Sequence, residues 1–194
     1  VLGAGLMGRL LACELAAAGH DVDVYEASTA EAPGSAAHVA AAMLAPLAES
    51  AVPELGVVRM GSHALLRWPE LIAQLGRPVF FQQQGTLVLW HRQDAAEATR
   101  FQQLLAATAR DMPQLPGLEV LDGAGVARIE PSIGERFAQG LYLRGEGQLD
   151  NRELLSALLQ RLDELGVRVQ WSSPRSPADF DESLGGWLFD CRGL

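Results

Sequence analysis

Apolar residues recur along this chain with two different periods, and the changes of period mark its elements. Val1 and Leu2 end an apolar strand, after which Met7, Leu10, Leu11, Leu15 and Ala18 follow the spacing of one helix face. Gly19 predicts the end of that helix, and residues 21–26 alternate as a second strand that finishes on Glu26. Further on, an aromatic segment from Phe80 leads through Gly85 into Leu87-Val88-Leu89-Trp90, the pattern of a β-hairpin. A helix is predicted over 94–110, with an Asp94/Glu97 capping box and a buried stripe of Phe101, Leu104 and Leu105. A second capping box, Asp150 with Glu153, opens a helix whose leucines at 154, 155, 158, 159, 162 and 165 form a broad apolar face. Gly166 closes it, and Val167, Val169 and Trp171 alternate as a strand. The final residues, Phe189-Asp190-Cys191-Arg192-Gly193-Leu194, read as a strand running into a turn.

Chemistry enters at the first change of period. Gly3-Ala4-Gly5-Leu6-Met7-Gly8 directly follows the first strand and opens the first helix. Gly3 permits a tight turn, Gly5 lets a diphosphate approach the backbone, and Gly8 lets the helix pack on the strand. The free N–H groups at Leu6 and Met7 and the helix dipole then face the phosphates. Glu26 lies eighteen residues after Gly8, near the ~20-residue spacing at which a carboxylate accepts the ribose hydroxyls of an adenosine. With Ala27 and Ser28 beside it, this acid argues against NADP, whose 2′-phosphate it would repel. Glycines alone recur in any turn; strand, glycines, helix, Gly19, second strand and terminal acid agreeing with one another point to a bound dinucleotide.

Composition and charge narrow the remaining possibilities. In 194 residues, 48% are hydrophobic and 20% charged, the balance of an ordinary globular protein. A net charge of −9 disfavours nucleic acid or an anionic membrane as the main partner. No apolar run approaches the ~18 residues of a spanning helix, and no signal peptide is recognisable, so a cytoplasmic location is expected. Cys13 and Cys191 lack any ligand spacing, so no metal site and no disulfide framework are expected. The chain starts within a strand and stops in a turn, and looks cut at both ends.

An NAD-binding domain would follow the second strand with a further helix and parallel strand. Here Pro33-Gly34-Ser35 precedes a small-residue run, Ala36-Ala37-His38-Val39-Ala40-Ala41-Ala42-Met43-Leu44-Ala45-Pro46. Such a run fits either an Ala-rich core helix or a backbone lying close to a large planar ligand. Ala41-Ala42-Met43-Leu44-Ala45-Pro46, with Glu49 beyond it, resembles the loop after the second strand in glycine oxidases and related amine oxidases of the D-amino-acid oxidase family. That loop typically reads Ser/Thr-Ser-x-Ala-Ala-Gly-Met-Leu-Ala-Pro and wraps the ribityl chain and diphosphate of FAD. The sequence departs from it at Ala42, where the family usually has Gly, and at Ala36 and Ala37, where hydroxyls often bond phosphate. These departures point to weaker flavin affinity than is usual there. The resemblance extends, with declining specificity, through residues 80–90, Ile129-Glu130-Pro131, Gly140-Leu141-Tyr142-Leu143 and the terminal Asp190-Cys191-Arg192-Gly193-Leu194.

The resemblance implies an α/β fold: a doubly wound, Rossmann-like FAD-binding domain, discontinuous over 1–76 and 147–194, with part of an inserted antiparallel α+β substrate domain at 77–146. It implies FAD as cofactor and Ala37, His38, Ala41, Ala42, Met43, Cys191, Arg192 and Gly193 as further cofactor contacts; for His38 a solvated loop position fits equally well. Met43 is expected beside the flavin in the substrate pocket. Glu49 matches a family acid near the active-site entrance, and an exposed helix-start Glu explains it as simply. His20, His63 and His91 read as surface residues, and Trp68, Trp90, Trp171 and Trp187 as core. No catalytic residue is identifiable. The implied activity is oxidation of a small amino acid (glycine, sarcosine or a D-amino acid) to an imine that hydrolyses to the keto acid, with oxygen as acceptor. A quinone acceptor, as in D-amino-acid dehydrogenases, a tRNA-modifying FAD oxidoreductase and a non-catalytic nucleotide-binding fragment are the alternatives, and a homo-oligomer is left open. Because the family places its carboxylate-clamping Arg in the C-terminal half, these 194 residues alone are expected to be inactive.

Overall fold

Leu2 is fully buried because backbone partners flank it on both sides. Its N–H donates to Phe189 O (2.8 Å) and its carbonyl accepts from Cys191 N–H (2.7 Å). On the other side Gly3 N–H donates to Tyr25 O (2.7 Å) and Tyr25 N–H to Val1 O (2.9 Å). The computed structural model describes every residue except 32, 52, 53, 182–184 and 194, and of Glu135 only the backbone. In chain order the helices and strands are α1 (Leu6–Ala17), β1 (Asp23–Tyr25), α2 (Ala36–Val39), β2 (Met43–Leu44), α3 (Leu55–Gln74), β3 (Phe81–Gln82), β4 (Thr86–Leu89), α4 (Ala95–Asp111), β5 (Leu118–Asp122), α5 (Gly123–Ile129), β6 (Gln139–Leu143), β7 (Gly147–Leu149), α6 (Asn151–Glu164) and β8 (Arg168–Gln170). They fall into two units. One comprises Val1–Ala42, Leu71–Phe80 and Asp150–Leu194, and the other Met43–Glu70 and Phe81–Leu149.

The first unit is parallel. Leu2 bridges Tyr25 and Asp190 in parallel, and β1 pairs in parallel with β8, Val24 opposite Val169. This is the strand arrangement expected of a doubly wound domain. Helix α1 ends as the sequence indicates: Gly19 N–H reaches Ala16 O and His20 N–H reaches Leu15 O, the two bonds of a Schellman motif. Gly166 and Val167 close α6 in the same way on Asp163 and Leu162. The buried face of α1, however, is not the expected leucine stripe. Gly8, Arg9, Ala12 and Cys13 are buried, whereas Met7 is 66% exposed. Small residues at 8 and 12 let the helix sit close to its neighbours, and Cys13 Sγ lies 3.8 Å from Leu158 O of α6. Leu154, Leu155, Leu158 and Leu162 bury the apolar face of α6 as its periodicity requires.

The small-residue run is not a core helix. It forms the single turn α2, with no buried residue, and then Ala42 adopts a left-handed φ of 56°. A Cβ is disfavoured there, which explains why a Gly suits this position.

The second unit is antiparallel, with strand orders β2-β7-β3 and β4-β6-β5. The plain hairpin that the pattern at 80–90 also fits does not form. β3 pairs with β7 and β4 with β6, and between Gln82 and Thr86 three residues face the four between Leu143 and Gln148. The two segments thus run side by side through a bulge and do not fold back on themselves. Glu146 occupies the bulge, 2% exposed, and its Oε1 accepts Leu47 N–H (3.0 Å) and Ala48 N–H (2.8 Å). Burial pushes its carboxyl above the ordinary range. The Ala48 and Leu47 amides and the Thr86 hydroxyl pull the other way, and the nearby Glu49 charge adds to the upward shift. The core gathers Leu47, Val58, Leu105, Met112, Leu115 and Leu143. Leu104 is 45% exposed, so the α4 stripe is narrower than expected.

The two capping boxes also differ from expectation. Asp94 makes no cap bond, because it ends the 3-10 turn Arg92–Asp94 with φ −95° and ψ 7°, and an N-cap side chain needs an extended backbone to turn onto the helix N–H groups. Asp150 does cap α6, accepting from Arg152 and Glu153 N–H (2.9 Å each). Glu153, however, accepts from Phe80 N–H (2.7 Å), so only one arm of the second box is made. Of the tryptophans, Trp68 is buried, while Trp187 is 89% exposed and is not core. Among the described residues no helix is long and apolar enough to cross a membrane, and no group of three or more His, Cys, Asp or Glu could hold a metal.

The left-handed Ala42 generates a stability prediction. In the full-length protein, Ala42→Gly should stabilise the fold by about 0.5–1 kcal/mol, read as a higher urea midpoint at unchanged m-value. A lower midpoint would show that this backbone conformation is not held in solution.

Candidate dinucleotide-binding site

The glycine loop is shaped by three backbone segments crossing at Gly3. Gly3 has φ +90°, and a Cβ on it would lie 2.7 Å from Cys191 O and 2.8 Å from Arg192 Cα. A Cβ on Gly8 would overlap the Gly3 carbonyl oxygen. These two glycines are therefore required by packing. Gly5 differs: it is the N-cap of α1, and a Cβ there would meet only Ser35 Oγ, at 3.5 Å. The open side of the loop is thus at Gly5, where the first-turn N–H groups of α1 lack intrahelical acceptors. Ser35 precedes α2 without using its hydroxyl as a cap, leaving that hydroxyl beside Gly5. Ser35 was not among the expected contacts, and it supplies a hydroxyl next to the positions where Ala36 and Ala37 lack one.

Glu26 follows β1 and is half-buried. Its Oε2 accepts Ala4 N–H (2.5 Å), and its Oε1 accepts Ser28 N–H (2.8 Å) and Ser28 Oγ–H (2.9 Å). Burial alone would raise its pKa, but the donors from Ala4 and Ser28 outweigh it and hold the carboxyl below its ordinary range. The Ala27 amide adds a weaker pull in the same direction; a carboxylate oxygen takes about two donors, and Oε2, with the Ala4 bond, is the less occupied of the two oxygens. The turn behind Glu26 is pinned by Ser173 N–H to Glu26 O (2.8 Å) and Ser172 N–H to Ser28 O (3.0 Å).

In this unit the structure brings Gly3, Gly5, Leu6, Met7, Gly8, Glu26, Ser28, Cys191 and Arg192 around the start of α1. Ala27 is exposed. The Arg192 guanidinium is engaged by Asp190, at 2.8 and 2.6 Å, and Gly193 has φ +74°. Ala37 and His38 lie in α2, which α6 holds in place: Asn151 Nδ2 donates to Ala37 O and Ala40 O, and Arg152 Nε to His38 O (3.3 Å). Asn151 and Arg152 were not legible as site residues, because their partners are more than a hundred positions away. Ala41 is exposed. In the other unit, Met43 is 47% exposed and borders an apolar cavity of about 140 Å³, lined also by Leu44, Pro46, Glu49, Val57 and Gly61.

Parallel strands, a glycine loop at a helix N-terminus and a carboxylate at the end of the second strand define a dinucleotide-binding α/β fold. The sequence profile of the FAD dependent oxidoreductase family, DAO, matches residues 1–176, and the chain belongs to that family. The putative thiamine biosynthesis oxidoreductase ThiO of Rhizobium etli is 31% identical over 169 residues, 87% of this chain and 47% of that protein. The glycine oxidase of Geobacillus kaustophilus superposes with a TM-score of 0.73 at 22% identity, over 88% of this chain and 45% of its own. The iminodiacetate oxidase IdaA of Chelativorans sp. gives 0.72 at 21% identity, with the same coverage of both chains. The chain spans about half the length of these relatives.

Two substitutions in the full-length protein test the site. Glu26→Lys should weaken FAD binding by about 2–3 kcal/mol and Ser35→Ala by about 1 kcal/mol, measured by quenching of flavin fluorescence. Unchanged affinity in the first would remove Glu26 from the ribose, and unchanged affinity in the second would remove Ser35 from the diphosphate.

Proposed function

We propose that the full-length protein is an FAD-dependent oxidase of small amino acids such as glycine, sarcosine or a D-amino acid. The observation that carries this reading is the open glycine loop facing Ser35 and Glu26, in a chain of the FAD dependent oxidoreductase family. The groups present fit the cofactor: unbonded N–H donors at the start of α1 for the diphosphate, the Ser35 hydroxyl beside them, and Glu26 Oε2, the less occupied carboxylate oxygen, for a ribose hydroxyl. Cys191, Arg192, Gly193, Ala37, His38, Ala41 and Ala42 complete the proposed cofactor surface.

Bound FAD supplies the redox chemistry by accepting a hydride from the carbon that bears the amine. The chain's own residues bind and orient. The α1 loop and Glu26 fix the adenosine diphosphate, and Met43 with its apolar neighbours offers a small cavity in which Glu49 is the one charged lining residue among those described. We assign no general base. The imine formed by loss of hydride and a proton takes up water and hydrolyses to the keto acid and ammonia, or methylamine in the case of sarcosine, while oxygen takes the two electrons and two protons as hydrogen peroxide. In this reading the parallel unit is the cofactor domain and the antiparallel unit belongs to the substrate domain. The name of the Rhizobium etli relative supports a place in thiamine biosynthesis.

The test is oxidation of glycine, sarcosine and D-alanine by the full-length protein purified with FAD. Peroxide formed in equal amount to oxygen consumed is the expected result. Flavin reduction by substrate without peroxide would replace oxygen with another acceptor, and absence of reduction by any of the three would overturn the substrate class.

A further inference from the structure

Arg9 follows the third glycine of the loop and is 1% exposed, although a charged residue on a surface helix belongs in water. Its Nε donates to Ala4 O (2.7 Å), Nη1 to Leu155 O (2.7 Å) and Nη2 to Ala30 O (2.8 Å). Its guanidinium carbon lies 5.6 Å from the centre of the Trp171 ring. Among the described residues no carboxylate oxygen comes within 4.0 Å of its nitrogens. A buried cation whose direct partners are neutral carbonyls is an unfavourable arrangement unless an anion is available nearby; the Glu26 carboxylate, across Ala4, acts on it only at longer range, and arginine does not relieve the arrangement by losing its proton.

The position of the charge is informative. Ala4 donates its N–H to Glu26 and accepts Arg9 on its carbonyl, so an acid and a base hold this residue from opposite sides. The Ala4 carbonyl shares its peptide with the Gly5 N–H. A donor on that carbonyl polarises the peptide and strengthens the N–H at the open side of the loop. The bond to Ala30 ties the turn after Glu26 to the same guanidinium.

We propose that Arg9 is a positioning residue for the diphosphate of FAD: it fixes the Ala4–Gly5 peptide and places a buried, permanent positive charge at the start of α1, favouring an anionic ligand there over a neutral one. The proposal rests on the FAD reading above.

The experiment compares dissociation constants of ADP, adenosine and FAD for the full-length apoprotein by calorimetry. Wild type should prefer ADP to adenosine, and Arg9→Met should reduce that preference about tenfold. Arg9→Gln keeps hydrogen-bond donors without the charge; it should reduce the preference equally and stands in if the Met variant does not fold. Arg9→Lys keeps the charge and should hold the preference within about threefold of wild type. An unchanged preference in the Met or Gln variant would overturn the proposal. So would a Lys variant as impaired as either, or equal loss of ADP and adenosine binding, which marks a purely structural role. Wild type that binds neither ADP nor FAD would instead overturn the FAD reading itself.

Discussion

The crossing of three backbone segments at Gly3 is the constraint on which the parallel unit depends. The end of the first strand lies between α1, through Gly8, and the terminal segment at Cys191–Arg192, with no room for a side chain on either glycine. Because the contact is backbone on backbone, side-chain rearrangement cannot relieve a substitution there. The contact sets where α1 begins, and so where its unbonded N–H groups point. It also places Ala4 within reach of Glu26, whose ionised carboxylate then fixes the loop from the second strand. The open surface at Gly5 is therefore set by backbone packing at Gly3 and Gly8.

Residues whose type is dictated by backbone geometry were legible in the sequence. Gly3, Gly5 and Gly8 announce the loop, Gly19 and Gly166 announce helix ends, and Glu26 follows at the spacing a strand–helix–strand unit imposes. The leucines of α6 declare their buried face because that face is wide. Legibility fails where a contact joins distant segments or contradicts a residue's usual habit. Arg9, of a residue type usually found in water, is buried; Asn151, in the first turn of α6, holds α2. Ser35 lay in plain view, yet its closeness to Gly5 depends on a loop conformation that no local pattern encodes. Asp94 carried the pattern of a cap, but the 3-10 turn before it removed the extended backbone a cap needs. The hairpin at Gly85 failed similarly, since the pattern of two strands does not say which partners they take.

The two units handle polarity in opposite ways. Around α1 the donors are main-chain amides aimed by ionised or polar side chains, suited to a ligand of fixed charge and shape. The cavity beside Met43 is walled mostly by apolar groups, with Glu49 at its lining, and such walls discriminate chiefly by size.

The most direct test is a crystal structure of the full-length protein with FAD. The account predicts diphosphate oxygens within about 3 Å of the first-turn N–H groups of α1 and of Ser35 Oγ, with an adenosine ribose hydroxyl on Glu26 Oε2. A dinucleotide bound away from α1, or a Glu26 carboxylate turned from the ribose, would contradict it.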